Sequence, residues 1–92
     1  MPNFFIEVPH APDKLACAKA IQVFQQSASH LLTNAEWGCG DGEHCAMLIA
    51  EAESKIDIMN VIPPAYRDGS RVVELRRFEP EYIQRIIDEH EA

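Results

Sequence analysis

Histidines, cysteines and two glutamates set inside strand-like runs are the residues here with chemistry to offer. The 92-residue chain holds four histidines and three cysteines, Cys17, Cys39 and Cys45. His44 and Cys45 are adjacent, and Cys39 stands across a glycine-rich turn from them. Imidazole and thiolate are good ligands for zinc or nickel. The spacing Cys39-x5-Cys45 matches no metal knuckle, however. Neighbours on a strand also point to opposite faces, so His44 and Cys45 are not expected to share an ion. The plainer expectation is a polar hairpin residue beside a core cysteine. A nucleophilic cysteine would need a base and an electropositive setting. Cys17 and Cys45 fall in apolar patterns and read as core. That leaves Cys39 as the exposed thiol, with no partner base identified by sequence.

Glu7 and Glu36 interrupt otherwise apolar runs. If both faced a closed cavity, burial would raise their pKa and make them proton-transfer groups, with His44 as a third catalytic candidate. The competing expectation is a strand end in water, since acidic residues are rarely fully buried. Trp37 could stack on an aromatic ligand, and Tyr66 with Arg67 could hold an anionic one; a core or interface position is the commoner fate of a tryptophan. Arg71, Arg76 and Arg77 crowd one strand, where charges commonly block edge pairing. The chain has no phosphate loop, dinucleotide fingerprint, Ser-His-Asp order or zinc-protease motif.

The elements that must position these groups follow from periodicity. Residues 4–8 read as a first strand ended by Pro9. Cys17, Ile21, Phe24, Ala28 and Leu31 recur at spacings of four and three, which predicts one amphipathic helix over residues 13–33, with Asp13 as N-cap and Asn34 as stop. Asp41-Gly42 between two strand-like runs predicts a hairpin. Residues 45–50 are apolar without alternation, as in a strand covered on both faces. Ser54 with Asp57 three residues on resembles a capping box and opens a second helix, which Pro63-Pro64 ends. Residues 66–69 read as a turn, residues 71–78 as a fourth strand, and Pro80 as the start of a last helix. The order is βαββαβ plus a C-terminal helix. It predicts a single α+β domain of ferredoxin-like type, with a four-stranded antiparallel sheet carrying both main helices on one face.

A net charge of −7 lacks the basic footprint that nucleic-acid phosphates require and disfavours an anionic membrane surface. Hydrophobic residues at 47% and charged ones at 25% exclude a disordered chain. No apolar run has the length of a membrane span. Residues 1–8 lack the features of a signal peptide. Three cysteines, an odd number, fit reduced thiols, so a cytoplasmic location is expected.

Phe4-Phe5-Ile6, residues 45–50 and Val72-Val73 are apolar at successive positions, so both sheet faces need cover. A second copy packed sheet against sheet would supply it; a C-terminal helix folded across the face is the alternative. The features Met1-Pro2-x-Phe4, His10 after the strand, the long first helix, Trp37, the apolar strand at residues 45–50, the helix-starting Ser54, Val61-Ile62-Pro63-Pro64 and Val72-Val73-Glu74-Leu75 together resemble the dimeric α/β-barrel superfamily of small bacterial proteins. That superfamily includes muconolactone-isomerase-like proteins, antibiotic-biosynthesis-type monooxygenases and small nickel-binding proteins. The resemblance implies two sheets forming a barrel across a dimer. It also implies a metal-ligand role for His10, which matches a histidine after the first strand in the nickel-binding members. The expectation for function is a homodimer that binds a small molecule or metal ion in or beside the barrel cavity, with no cofactor specified. A cofactor-free isomerase or monooxygenase acting on an aromatic or lactone-type compound, and a protein-interaction module, are the alternatives.

Overall fold

A computed structural model describes residues 1–91. Strand β1 (Asn3–Pro9) leads to helix α1 (Lys14–Gln25) and a single helical turn, α2 (His30–Thr33). Strand β2 (Glu36–Trp37), a 3-10 turn (Cys39–Asp41) and strand β3 (Cys45–Glu51) form the hairpin. Helices α3 (Lys55–Val61) and α4 (Pro64–Arg67), strand β4 (Arg71–Leu75) and helix α5 (Pro80–Glu91) complete the chain. The four strands make one antiparallel sheet in the order β2-β3-β1-β4.

Alternation along the pleat sorts side chains between two faces. Phe4, Ile6 and Val8 of β1 and Ala46 and Leu48 of β3 point inward, where they pack with Phe24, Leu32, Ile58 and Ile62 from the helices. All helical core residues therefore lie on one side of the sheet. Phe5, Glu7, Met47, Ile49 and Val73 alternate to the opposite, outer face, and Ile49 is 67% exposed there.

The helix predicted over residues 13–33 is broken. Asp13 caps α1 as expected, its Oδ1 accepting from Ala16 N at 2.9 Å. Ser27 Oγ then accepts from Ser29 N at 3.0 Å, a local side-chain bond that competes with the helical ladder and separates α1 from α2. The break also changes the buried positions: Ala20, Phe24 and Leu32 are the fully buried ones. Ser54 caps α3, accepting from Asp57 N at 3.3 Å. The residues read as a turn after Pro63-Pro64 begin as the short helix α4 and finish at Gly69, whose φ of +83° suits glycine. The last strand stops at Leu75 rather than continuing to residue 78.

Helix α5 is amphipathic, yet none of its described residues is buried. Tyr82, Ile83 and Ile87 are each roughly two-fifths exposed. The molecule measures 56 × 28 × 20 Å with a radius of gyration of 16.9 Å, against about 12 Å for a compact domain of this length. Its accessible surface of 6682 Å² exceeds by about 1,300 Å² what a compact monomer of this mass exposes.

Phe24 is 1% exposed and central to the core. Phe24→Ala is expected to destabilise by about 3–5 kcal/mol in urea unfolding. Val23→Ala, next to it but on the solvent side of α1, is expected to stay within about 0.5 kcal/mol.

Candidate metal centre

The register of β1 and β3 brings the exit of one strand beside the entry of the other. Pro9 pairs with Cys45, and the next backbone bond runs from His10 N to His44 O at 3.0 Å. Both imidazoles are therefore held at the same end of the sheet, ring centroids 5.7 Å apart. The hairpin supplies the third group. Gly38 N donates to Cys45 O, while Glu43 N and Asp41 N both donate to Gly38 O, folding the 3-10 turn back over the strand ends. A Cβ on Gly38 would sit 2.7 Å from the Glu43 carbonyl oxygen, so only glycine allows this closure. Gly42, with φ +81°, completes the turn.

This turn sets Cys39 against His10, with Sγ 3.1 Å from Nε2. One donor atom each from His10, Cys39 and His44 lies within 4.8 Å of the other two. His10 Nδ1 is 2.7 Å from the Ala11 carbonyl oxygen. Donation of the Nδ1 proton to that carbonyl leaves the Nε2 lone pair aimed at Cys39, the arrangement by which metal-ligating histidines are oriented. His44 Nδ1 is buried and has no hydrogen-bond partner. A buried imidazole nitrogen without a partner carries a desolvation cost that native folds rarely leave uncompensated.

Cys17 joins from the first turn of α1. Its thiol donates to Cys39 Sγ at 2.9 Å. The neighbouring Cys17 thiol, followed by burial, pushes the Cys39 thiol above its ordinary value. Cys45 stands apart, on the outer-face parity with Glu7 and Met47. Burial, reinforced by the Glu7 and Glu43 carboxylates, pushes its thiol up as well.

The other sequence candidates occupy three different places. Glu7 and Glu36 share the outer face, where both pair with Met47 from opposite sides, two strand spacings apart. Glu7 is half-buried and lies 3.8 Å from Arg71 Nε; Glu36 is exposed. A groove of about 490 Å³ on this face runs past Phe5, Glu36, Met47 and Ile49. Trp37 pairs with inward-facing Ala46, and its ring stands 5.1 Å from Phe24 and 5.9 Å from His10, forming a wall of the His10 cluster. Tyr66 packs edge-on to Phe24. The Arg67 guanidinium donates to Ile62 O at 2.7 Å and Asn60 O at 3.2 Å, closing the end of α3. His44 therefore stands with His10 and Cys39, away from the two carboxylates. Apolar spacing predicts Cys17 as core and identifies no partner base for Cys39; the structure sets Cys17 Sγ and His10 Nε2 against Cys39 Sγ. Strand pairing, which puts His10 opposite His44, is the signal that brings the two histidines together.

Among the described residues, no helix is long and apolar enough to cross a membrane. Comparison with family models, curated proteins and solved structures finds no match to this chain.

The raised thiol values set an alkaline limit on stability. A group whose pKa is higher folded than unfolded favours folding below its unfolded value, here 9.0, and loses that contribution as pH rises through the folded value. The urea midpoint is expected to fall from about pH 8 to about pH 10, and to fall less in Cys45→Ser. Equal slopes in the two proteins would count against a protonated Cys45 in the fold.

Proposed function

We propose that this chain is a homodimeric metal-binding protein, holding a borderline-soft divalent cation such as zinc or nickel through His10, Cys39 and His44. The observation that carries the reading is the convergence of these three donors within 4.8 Å beside a buried, unpartnered His44 nitrogen. Two imidazoles and a thiolate suit such ions better than the hard cations, which prefer oxygen. Three protein ligands leave a fourth position for water or an exogenous ligand.

The dimer is supported by the outer sheet face and α5. Row by row, the outer face presents Arg71-Glu7-Met47-Glu36 and then Val73-Phe5-Ile49. The excess surface of about 1,300 Å² is more than the roughly 800 Å² that a standard interface takes from each partner. The strand order, taken from the other edge as β4-β1-β3-β2 with helices on one face, supports the ferredoxin-like reading and a barrel closed by the second sheet. A second reading, small-molecule binding, is favoured by the groove beside Glu36 and by Glu7 on the same face. A facing sheet would turn that groove into a cavity, and the two carboxylates would then be the acid–base candidates of an isomerase or monooxygenase.

Native mass spectrometry with Zn2+ or Ni2+ tests both parts of the main reading. The expected result is a dimer with one ion per chain. His10→Ala, Cys39→Ser and His44→Ala are each expected to weaken binding by at least about 100-fold, more than loss of a supporting neighbour does. Affinity is expected to fall as pH is lowered, because the ion must displace the Cys39 proton. Unchanged affinity in all three variants would remove the metal reading; a monomer at micromolar concentration would remove the dimer.

A further inference from the structure

We infer that Cys17 and Cys39 form a reversible intramolecular disulfide, and that this bond and an ion on Cys39 exclude one another. The second half rests on the metal-binding reading; the first stands on geometry alone. The two sulfurs are 2.9 Å apart, so closing to a bond of about 2.05 Å asks for a movement of about 0.9 Å. They come from two separate segments, the first turn of α1 and the 3-10 turn of the hairpin. Both cysteines are only partly buried, which admits a small oxidant. Of the three thiols only these two are hydrogen-bonded to each other, while Cys45 lies on the outer-face side of β3. The odd cysteine therefore has a place of its own and is not a competing partner.

Hydrogen peroxide serves as the oxidant. One sulfur, as thiolate, attacks a peroxide oxygen; the O–O bond breaks, and the hydroxide released takes up a proton and leaves as water. The resulting sulfenic sulfur is attacked by the second sulfur, the S–O bond breaks, and a second water departs. The two thiols lose two electrons and two protons, and peroxide becomes two waters. When Cys39 is the second sulfur, its proton has an acceptor in His10 Nε2 at 3.1 Å. A thiol donor reverses the change by exchange through a mixed disulfide. A sulfur joined to Cys17 has no thiolate left to offer an ion, so oxidation removes one ligand of three. By linkage, an ion held as thiolate–metal shields the same sulfur from peroxide.

The test is peptide mass spectrometry on the metal-free chain after one equivalent of peroxide and alkylation of the remaining thiols. A Cys17–Cys39 link with alkylated Cys45, reversed by dithiothreitol, is expected. Cys45→Ser should form the same link, and Cys17→Ser should form none to Cys39. Preloading with Zn2+ should slow the link at least tenfold, and the oxidised chain should bind Zn2+ at least tenfold more weakly. Links through Cys45, links between chains, or sulfinic acid on Cys39 would overturn the disulfide. A chain that binds Zn2+ yet forms no link overturns it while leaving the metal site standing. A chain that forms the link but shows no Zn2+ binding loses the exclusion and the metal reading together, while the thiol pair is upheld.

Discussion

The pleat of β1 is the constraint on which the rest of the molecule depends. Phe4, Ile6 and Val8 on its inner side form the middle of the core, and Phe5 and Glu7 are then forced outward by the period of two. The strand sits between β3 and β4, so every helix that reaches the core must come from the side that β1 makes apolar. A slip of one residue would put Glu7 among Phe24, Ile58 and Ile62 and expose three of the largest core side chains. The register is thereby fixed, and the end of the strand is fixed with it. What leaves β1 after Pro9 must pass the start of β3.

That consequence builds the cluster. His10 is the first residue past the strand and His44 the last before its neighbour, so the backbone bond that ends the ladder also pairs the two imidazoles. The hairpin is too short to keep its turn at a distance. β2 has two residues, and the 3-10 turn folds back through Gly38, where a side chain would meet the Glu43 carbonyl. Cys39 is carried over the strand ends in this way, and the Asp13 cap, which starts α1 close to the same end, delivers Cys17. Trp37 fills the space between Phe24 and His10, coupling the polar cluster to the core.

Local signals in the sequence therefore reached some of this and missed the rest. The N-caps at Asp13 and Ser54 and the turn at Asp41-Gly42 act over a few residues and are visible in the chain itself, whereas the alternating burial of β1 and β3 is not, because both strands carry apolar residues on both faces. The apolar spacing runs straight through the break at Ser27, where a side-chain hydroxyl bond to Ser29 N competes with the helical ladder. His44 and Cys45 do face opposite sides of β3, His44 on the side of Ala46 and Cys45 on that of Met47. The partners of His44 are His10 and Cys39, and the link between His10 and Cys39 spans 29 positions of sequence. Such a pairing is specified by register, a tertiary property, and not by any spacing within one segment. Tyr66 and Arg67 illustrate the reverse: types suited to binding an anion close the α3 end and pack on Phe24.

The location of the cluster also bears on what an ion would do to the fold. Of the residues between Leu32 and Ala46 none is fully buried, so β2 and the turn of the hairpin are held by backbone bonds and by contacts of Trp37 more than by core packing. Segments of that kind open most readily. An ion shared by His10, Cys39 and His44 would join the end of β1 to both sides of the hairpin turn. Because the unfolded chain holds these three groups far apart, binding to the folded form alone adds stability in proportion to the logarithm of ion concentration over the dissociation constant. The gain would fall on a stretch of the chain without a fully buried residue. Metal binding would then be coupled to closure of the hairpin, and any change that loosens the turn at Gly38 would act on both.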